Sequence, residues 1–172
     1  LGLKRGIGIA PYIETSSGAA MEWSRVSIMP NCVNVAVGTQ SSGQGHETSF
    51  AQVAADWLGV PFNKVCIEQG STDVAKAGNG SHAGRSMRMA GTAIILASNQ
   101  VIEKGKAIAA FVLETAFEDI EFDGGKFRIQ GTDRTIDWFS LANEAKRSDL
   151  PEGLQSGINA EIENIMHEAV FP

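Results

Sequence analysis

One stretch constrains this chain more than any other: Gly38-Thr39-Gln40-Ser41-Ser42-Gly43-Gln44-Gly45-His46-Glu47-Thr48. The apolar run Val33-Asn34-Val35-Ala36-Val37 feeds into it, and an amphipathic run over 50–58 leaves it. The order reads as strand, glycine-rich turn, helix. A turn with so few bulky side chains lets its backbone approach a ligand closely. The first N–H groups of the following helix lack partners within the helix, and such groups form a ready site for an anion. The turn is not a Walker A sequence, because no Gly-Lys-Ser or Gly-Lys-Thr occurs. Nor is it a dinucleotide fingerprint, because Gly43-Gln44-Gly45-His46-Glu47-Thr48 lacks the third glycine.

A second stretch of the same kind follows. Gly70-Ser71-Thr72-Asp73 leads through Gly78-Asn79-Gly80-Ser81-His82-Ala83-Gly84-Arg85-Ser86, long, small and polar, with a helix expected behind it. Structureless loops of this length are uncommon in compact domains unless they bind something. Gln44, Ser81, Arg85 and Ser86 offer donors to a phosphorylated ligand. The plain alternative is that the glycines only make tight turns. Arg85 and Arg88 could pair a phosphate bidentately or form a solvated helix start.

The remaining elements follow from periodicity. Arg5 to Glu14 alternates and reads as a strand, with Gly6 and Gly8 marking a close neighbouring backbone. Strands are expected over 22–29, 32–37 and 65–69, the first two as an antiparallel hairpin with Trp23, Val26 and Ile28 inward. Phe50, Val53, Ala54, Trp57 and Leu58 share one helical face, and Gly59 and Pro61 end that helix. Ala90, Ile94, Ala97 and Val101 mark a further helix, with Gly91 allowing a close neighbour; Gly105 interrupts it before a second helix over 106–117. Asp123-Gly124-Gly125 joins a hairpin over 120–129, and Asp137 caps a short helix over 138–146. Ile158, Ala160 and Ile162 alternate as an edge strand, although 161–169 can also be drawn as a helix.

With 43% hydrophobic residues among 172 the chain can bury a core, and its net charge of -6 argues against a nucleic acid partner. No apolar run is long enough to span a bilayer. The chain opens at Leu1 without Met or a leader pattern, and reads as an excised piece of a longer protein. Cys32 and Cys66 form no disulfide framework; they are expected as buried, inert thiols of an intracellular protein. His46, His82, Cys32 and Cys66 match no metal-ligand spacing. The fold class is α+β, a mixed or antiparallel sheet with helices packed on one face. Residues 1–119 carry the glycine loops, and 120–172 form a small C-terminal lobe (hairpin, short helix, tail) or a part of the same domain.

The two loops together, Gly38 to Thr48 and Gln69-Gly70-Ser71-Thr72-Asp73 with Gly84-Arg85-Ser86, resemble the large subunit of the molybdenum hydroxylases. That family includes xanthine dehydrogenase, aldehyde oxidase and carbon monoxide dehydrogenase. Arg5 to Glu14, Ile108-Ala109-Ala110 with Leu113-Glu114, and the 120–129 hairpin continue the resemblance, which fades after about Pro151. His46-Glu47-Thr48 is similar to the carbon monoxide dehydrogenase and bacterial aldehyde oxidase arms.

The resemblance implies a domain like the family's molybdenum-cofactor-binding domain, whose loops hold the pyranopterin and phosphates of molybdopterin cytosine dinucleotide with its molybdenum. It implies cofactor contacts at Ser42, Gly43, Gln44 and Gly45, and at Ala83, Gly84, Arg85 and Ser86, largely through backbone N–H groups. Many bacterial members carry Gly-Ser where this chain has Ala83-Gly84. The family's catalytic glutamate belongs to a glycine-rich segment that this sequence lacks, so no catalytic residue and no metal ligand is assigned here. The piece by itself is expected to be inactive. The implied partners are the rest of the large subunit, iron–sulfur (2Fe-2S) and flavin (FAD) subunits or domains, and a small-molecule substrate, in the cytoplasm. The competing expectation is a non-catalytic domain that binds a phosphorylated metabolite or nucleotide.

Overall fold

The structure, a computed structural model, describes residues 2–13 and 18–166. Its centre is a four-stranded mixed sheet in the order β3 (Val65–Glu68), β2 (Val33–Val37), β1 (Met21–Ile28), β7 (Ile158–Ile165). Strands β1 (Met21–Ile28) and β2 (Val33–Val37) form the expected antiparallel hairpin, with Val26 opposite Val35 and Ile28 opposite Val33. These four side chains share the face buried beneath the helices. Helix α1 (His46–Leu58) is the crossover that brings β3 (Val65–Glu68) parallel to β2. Strand β7 (Ile158–Ile165) closes the other side, antiparallel to β1 along eight residue pairs. The tail therefore takes the strand alternative, and Ile158 reaches the core that Ile28 anchors.

Helix α2 (Arg85–Val112) runs 28 residues over β1 and β7 and against α1. Ala90, Ile94, Ala97 and Val101 are fully buried, as their spacing predicts. Gly105 does not interrupt this helix. A β-carbon there would lie 2.4 Å from Cζ of Phe127 and 2.9 Å from Cζ3 of Trp138, so the residue is small because two rings occupy its space. Gly91 has the reverse outcome: its missing side chain faces only Met87 of its own helix.

Phe127 belongs to a second sheet, β4 (Ile120–Asp123), β5 (Lys126–Ile129) and β6 (Thr135–Asp137), antiparallel throughout, and Trp138 directly follows it. Phe127 meets Trp138 edge-on at 4.6 Å, and Trp138 Nε1 donates to the Leu58 carbonyl at 2.8 Å. Trp138 opens α3 (Trp138–Glu144), which Asp137 caps by accepting the N–H groups of Phe139 and Ser140. Burial opposes ionisation of Asp137, but the Ser140 hydroxyl and these N–H groups outweigh it and hold the carboxyl below its usual range.

Three expectations need correction. Residues 5–13 form no strand: Leu3, Ile7, Ile9 and Tyr12 are 82–95% exposed, and no backbone lies within 4 Å of where Gly6 or Gly8 would carry a β-carbon. Alternation alone does not make a strand without a neighbour to accept its hydrogen bonds. Trp57 is 45% exposed rather than buried, its indole N–H donating to Asn99 Oδ1 at 2.7 Å; the buried face of α1 runs through Phe50, Ala51, Ala54, Ala55 and Leu58. Cys32 is half-buried and Cys66 exposed, both free, and burial together with the Cys66 neighbour pushes the Cys32 thiol up. Among the described residues no helix is long and apolar enough to cross a membrane.

Candidate functional site

Both glycine-rich stretches end in a helix N-terminus of the same unusual kind. The residue before α1 is Gly45, at φ 75, and the residue before α2 is Gly84, at φ 62. Both are left-handed, a conformation glycine adopts without the steric cost other residues bear. Neither helix has a side-chain cap. Ser, Thr, Asp or Asn usually fills that role and consumes an N–H of the first turn, as Asp137 does for α3. At α1 and α2 that work is left to something other than a capping side chain. Ala83, just before Gly84, also holds a left-handed φ of 48, which a non-glycine residue adopts only under constraint.

The two starts face one cavity of about 320 Å³, lined by Gln44, His46, Ser81, His82, Ala83, Gly84, Arg85, Ser86 and Met87. Of the residues expected to contact a cofactor, Gln44, Ala83, Gly84, Arg85 and Ser86 are in this lining. Ser42, Gly43 and Gly45 lie in the same exposed turn without lining it. Gln44 ties the loops together: its Oε1 accepts the Ser42 N–H and its Nε2 donates to Ser81 Oγ, both at 2.5 Å. Behind it, Ser86 Oγ is within hydrogen-bond distance of both Ser81 Oγ at 3.0 Å and Thr39 Oγ1 at 2.9 Å, its one hydrogen serving either. Thr39 in turn donates to the Gly80 carbonyl at 3.0 Å. From the far side, Gln69 accepts the Ser41 N–H at 3.1 Å and donates to Glu47 at 2.5 Å. The first turn is thus held by β3 and by the second loop at once.

Arg85 departs from both expectations for its side chain. It is fully buried, with its guanidinium engaged by Glu22 and by main-chain carbonyls, so it is neither a solvated helix start nor a fork open to a phosphate. Its position in the lining is that of the first residue of α2. His46 lines the cavity, and Thr39 and Glu22 hold residues that do; the sequence alone assigned none of the three to it. His46 is 7% exposed, stacks on Phe50 at 4.9 Å, and its buried Nδ1 has no hydrogen-bond partner among the described residues. The aromatic pair at i and i+4 was the signal available for it. A buried polar atom without a partner is rare and calls for one.

The comparisons with known proteins bear directly on this arrangement. The family model described as molybdopterin cofactor-binding domain matches residues 2–164. The carbon monoxide dehydrogenase large chain of Afipia carboxidovorans is 37% identical over 124 residues, which are 72% of this chain and 15% of that protein. The nicotine 6-hydroxylase large subunit of Paenarthrobacter nicotinovorans is 33% identical over 169 residues, covering 89% of this chain and 21% of its own length. The crystal structure of Cu,Mo-CO dehydrogenase in its carbon monoxide reduced state superposes with a TM-score of 0.83 at 30% identity, over 93% of this chain and 22% of that one. The chain therefore spans between 15% and 22% of the length of these relatives. Its α+β architecture is the one it shares with the matching part of the CO dehydrogenase. On the extent of the family match and the identity of these relatives, the chain belongs to the molybdopterin cofactor-binding domain family.

Proposed function

We propose that this chain is a segment of the large subunit of a molybdenum hydroxylase, and that its two glycine-rich loops hold the molybdopterin, in the cytosine dinucleotide form. One observation carries the reading: two helices, each opened by a left-handed glycine and lacking a side-chain cap, begin at the rim of one cavity. Their first-turn N–H groups and dipoles favour negative charge. The residues fit the cofactor on two counts: the unpartnered Nδ1 of His46 offers a polar contact, and a β-carbon built at Gly43 or Gly45 meets nothing within 4 Å, leaving that backbone open to a ligand. A cavity of about 320 Å³ stands at the lower end of small-molecule sites, roughly 300–1,000 Å³. It suits the pterin and phosphate part of the group, with the rest of the subunit enclosing the remainder.

In this reading the chain's own residues bind and orient. Gln44 fixes the spacing of the loops, the helix starts bind anionic oxygens, and His46 contributes a ring nitrogen. The cofactor, when bound, supplies the redox chemistry. The rest of the large subunit, FAD and 2Fe-2S partners and a small-molecule substrate complete the enzyme, and this segment alone turns nothing over. The free Cys32 and Cys66 suit the cytoplasm that the reading assigns.

Two substitutions in the complete enzyme test the loops. In Gly45→Val the added atoms meet open space, but a β-branched residue at φ 75 is strained by about 1–3 kcal/mol, and its side chain stands in front of the helix start. Gln44→Ala removes two hydrogen bonds, each worth about 0.5–1.5 kcal/mol, and leaves the backbone cradle intact. Molybdenum per folded protein should therefore fall much further in Gly45→Val than in Gln44→Ala. Normal molybdenum in Gly45→Val, with folding verified by circular dichroism, would overturn the reading. Phosphate-ester binding by a molybdenum-free wild type would favour the non-catalytic alternative.

A further inference from the structure

Glu22 and Arg85 are both fully buried, with Nη1 donating to Oε2 at 2.8 Å. The guanidinium also donates to three main-chain carbonyls: Nε to Ala19 at 3.1 Å, Nη1 to Gly80 at 2.6 Å and Nη2 to Met21 at 2.6 Å. The other carboxylate oxygen of Glu22 accepts the Trp23 N–H at 3.1 Å. Stability is a weak explanation for such a pair, because apolar replacements of buried ion pairs are often neutral or stabilising. What the pair joins is more informative. It connects the start of β1 with the second glycine loop at Gly80 and the first residue of α2, Glu22 lying 63 positions before Arg85 in sequence.

Gly80 is the hinge of this connection. Its carbonyl accepts from Arg85 and from Thr39, one group from each glycine-rich stretch. The next residue, Ser81, takes the hydrogen bond from Gln44 that joins the loops. At the same place the backbones of Gly38 and Gly78 abut so closely that a β-carbon on Gly38 would lie 2.4 Å from Glu22 Oε1 and 2.7 Å from Gly78 Cα. A planar fork with fixed donor directions can hold several carbonyls and a carboxylate at once, which a lysine ammonium cannot do with the same geometry.

We propose that Glu22 and Arg85 are positioning residues for the cavity: together they fix Gly80, so that the second loop closes on the first, without either side chain contacting the ligand. This rests on the reading of the cavity as a molybdopterin site.

The test uses the complete enzyme, with molybdenum and pterin per folded protein and the thermal midpoint measured for each variant. The double variant Glu22→Leu/Arg85→Met leaves neither charge buried alone, so its midpoint should fall by no more than the lost hydrogen bonds to the main-chain carbonyls bring. It also removes the Arg85 anchor on Gly80 and leaves only that of Thr39, so cofactor content should fall by about tenfold or more, as expected when the competent arrangement becomes a minor state. Glu22→Gln keeps the shape and an acceptor for Arg85. It serves if the double variant does not fold, and should show a smaller loss with faster proteolysis between 71 and 84. Arg85→Lys should fail to restore loading despite its charge. Full cofactor content in the folded double variant, or in Glu22→Gln with unchanged proteolysis, overturns the proposal. If Gly45→Val loses its cofactor while these variants keep theirs, the positioning role fails and the cofactor reading stands. If none loses it, both fail.

Discussion

His46 shows how a single atom divides a structural role from a binding one. Its ring packs against Phe50, as a core residue's would, yet Nδ1 is buried without a partner. Leaving such an atom unpaired costs about 1–3 kcal/mol. His46→Phe keeps the stacking surface and deletes the unpaired atom, so urea unfolding of the chain should show equal or higher stability. Molybdenum content of the complete enzyme should nonetheless fall, because the cavity loses a polar contact. A stability loss above about 1 kcal/mol would mean that Nδ1 has a protein partner after all. Glu22 illustrates the limit of reading residues from sequence. Its partner lies 63 positions away, and nothing around Glu22 distinguishes a buried carboxylate from a solvated strand start.

At the scale of elements, periodicity located the helices and most strands, since burial of one face leaves its mark on local spacing. It failed where tertiary contacts decide. Gly105 is the clearest case: a glycine in a helical pattern normally reads as a weak point, but here Phe127 of the second sheet and Trp138 of α3 fill the space of its side chain. Gly105→Ala sets two effects against each other. Helix propensity favours alanine by about 1 kcal/mol, while overpacking costs typically about 1–3 kcal/mol. With the new carbon 2.4 Å from a ring in a cluster that Trp138 locks to Leu58, relief requires the second sheet and the start of α3 to shift. The substitution should therefore lower the denaturation midpoint, whereas Gly91→Ala, whose neighbour is a flexible methionine, should raise it or leave it unchanged. Trp57 failed for a related reason. The apolar stripe drawn from sequence was one position too wide, and the indole sits at the rim where Asn99 accepts its N–H.

For the whole molecule, the division between core and unpaired segment matters most. The two sheets and three helices share one cluster of buried side chains that extends from Val26 to Ile158. Residues 2–13 stand outside it, with Ile7 at 95% and Ile13 at 81% exposure. Their alternation puts Leu3, Ile7, Ile9 and Ile13 with Arg5 and Pro11 on one face of an extended chain, and three glycines and Ala10 with Lys4 and Tyr12 on the other, a pattern suited to lying in a sheet. The edges of the four-stranded sheet are β3 and β7, and residues 2–13 pair with neither. Hydrophobic stabilisation comes from apolar area removed from water, and side chains this exposed remove almost none. Truncating the first thirteen residues should accordingly change unfolding free energy by less than about 0.5 kcal/mol, as for surface changes away from packed features. The denaturant slope should also hold, because it follows the area newly exposed on unfolding. Light scattering should fall in the truncated chain, since an unpaired apolar strand is a template for association. A clear drop in midpoint on truncation would show that these residues dock on the core, and would locate there the strand that their alternation suggests.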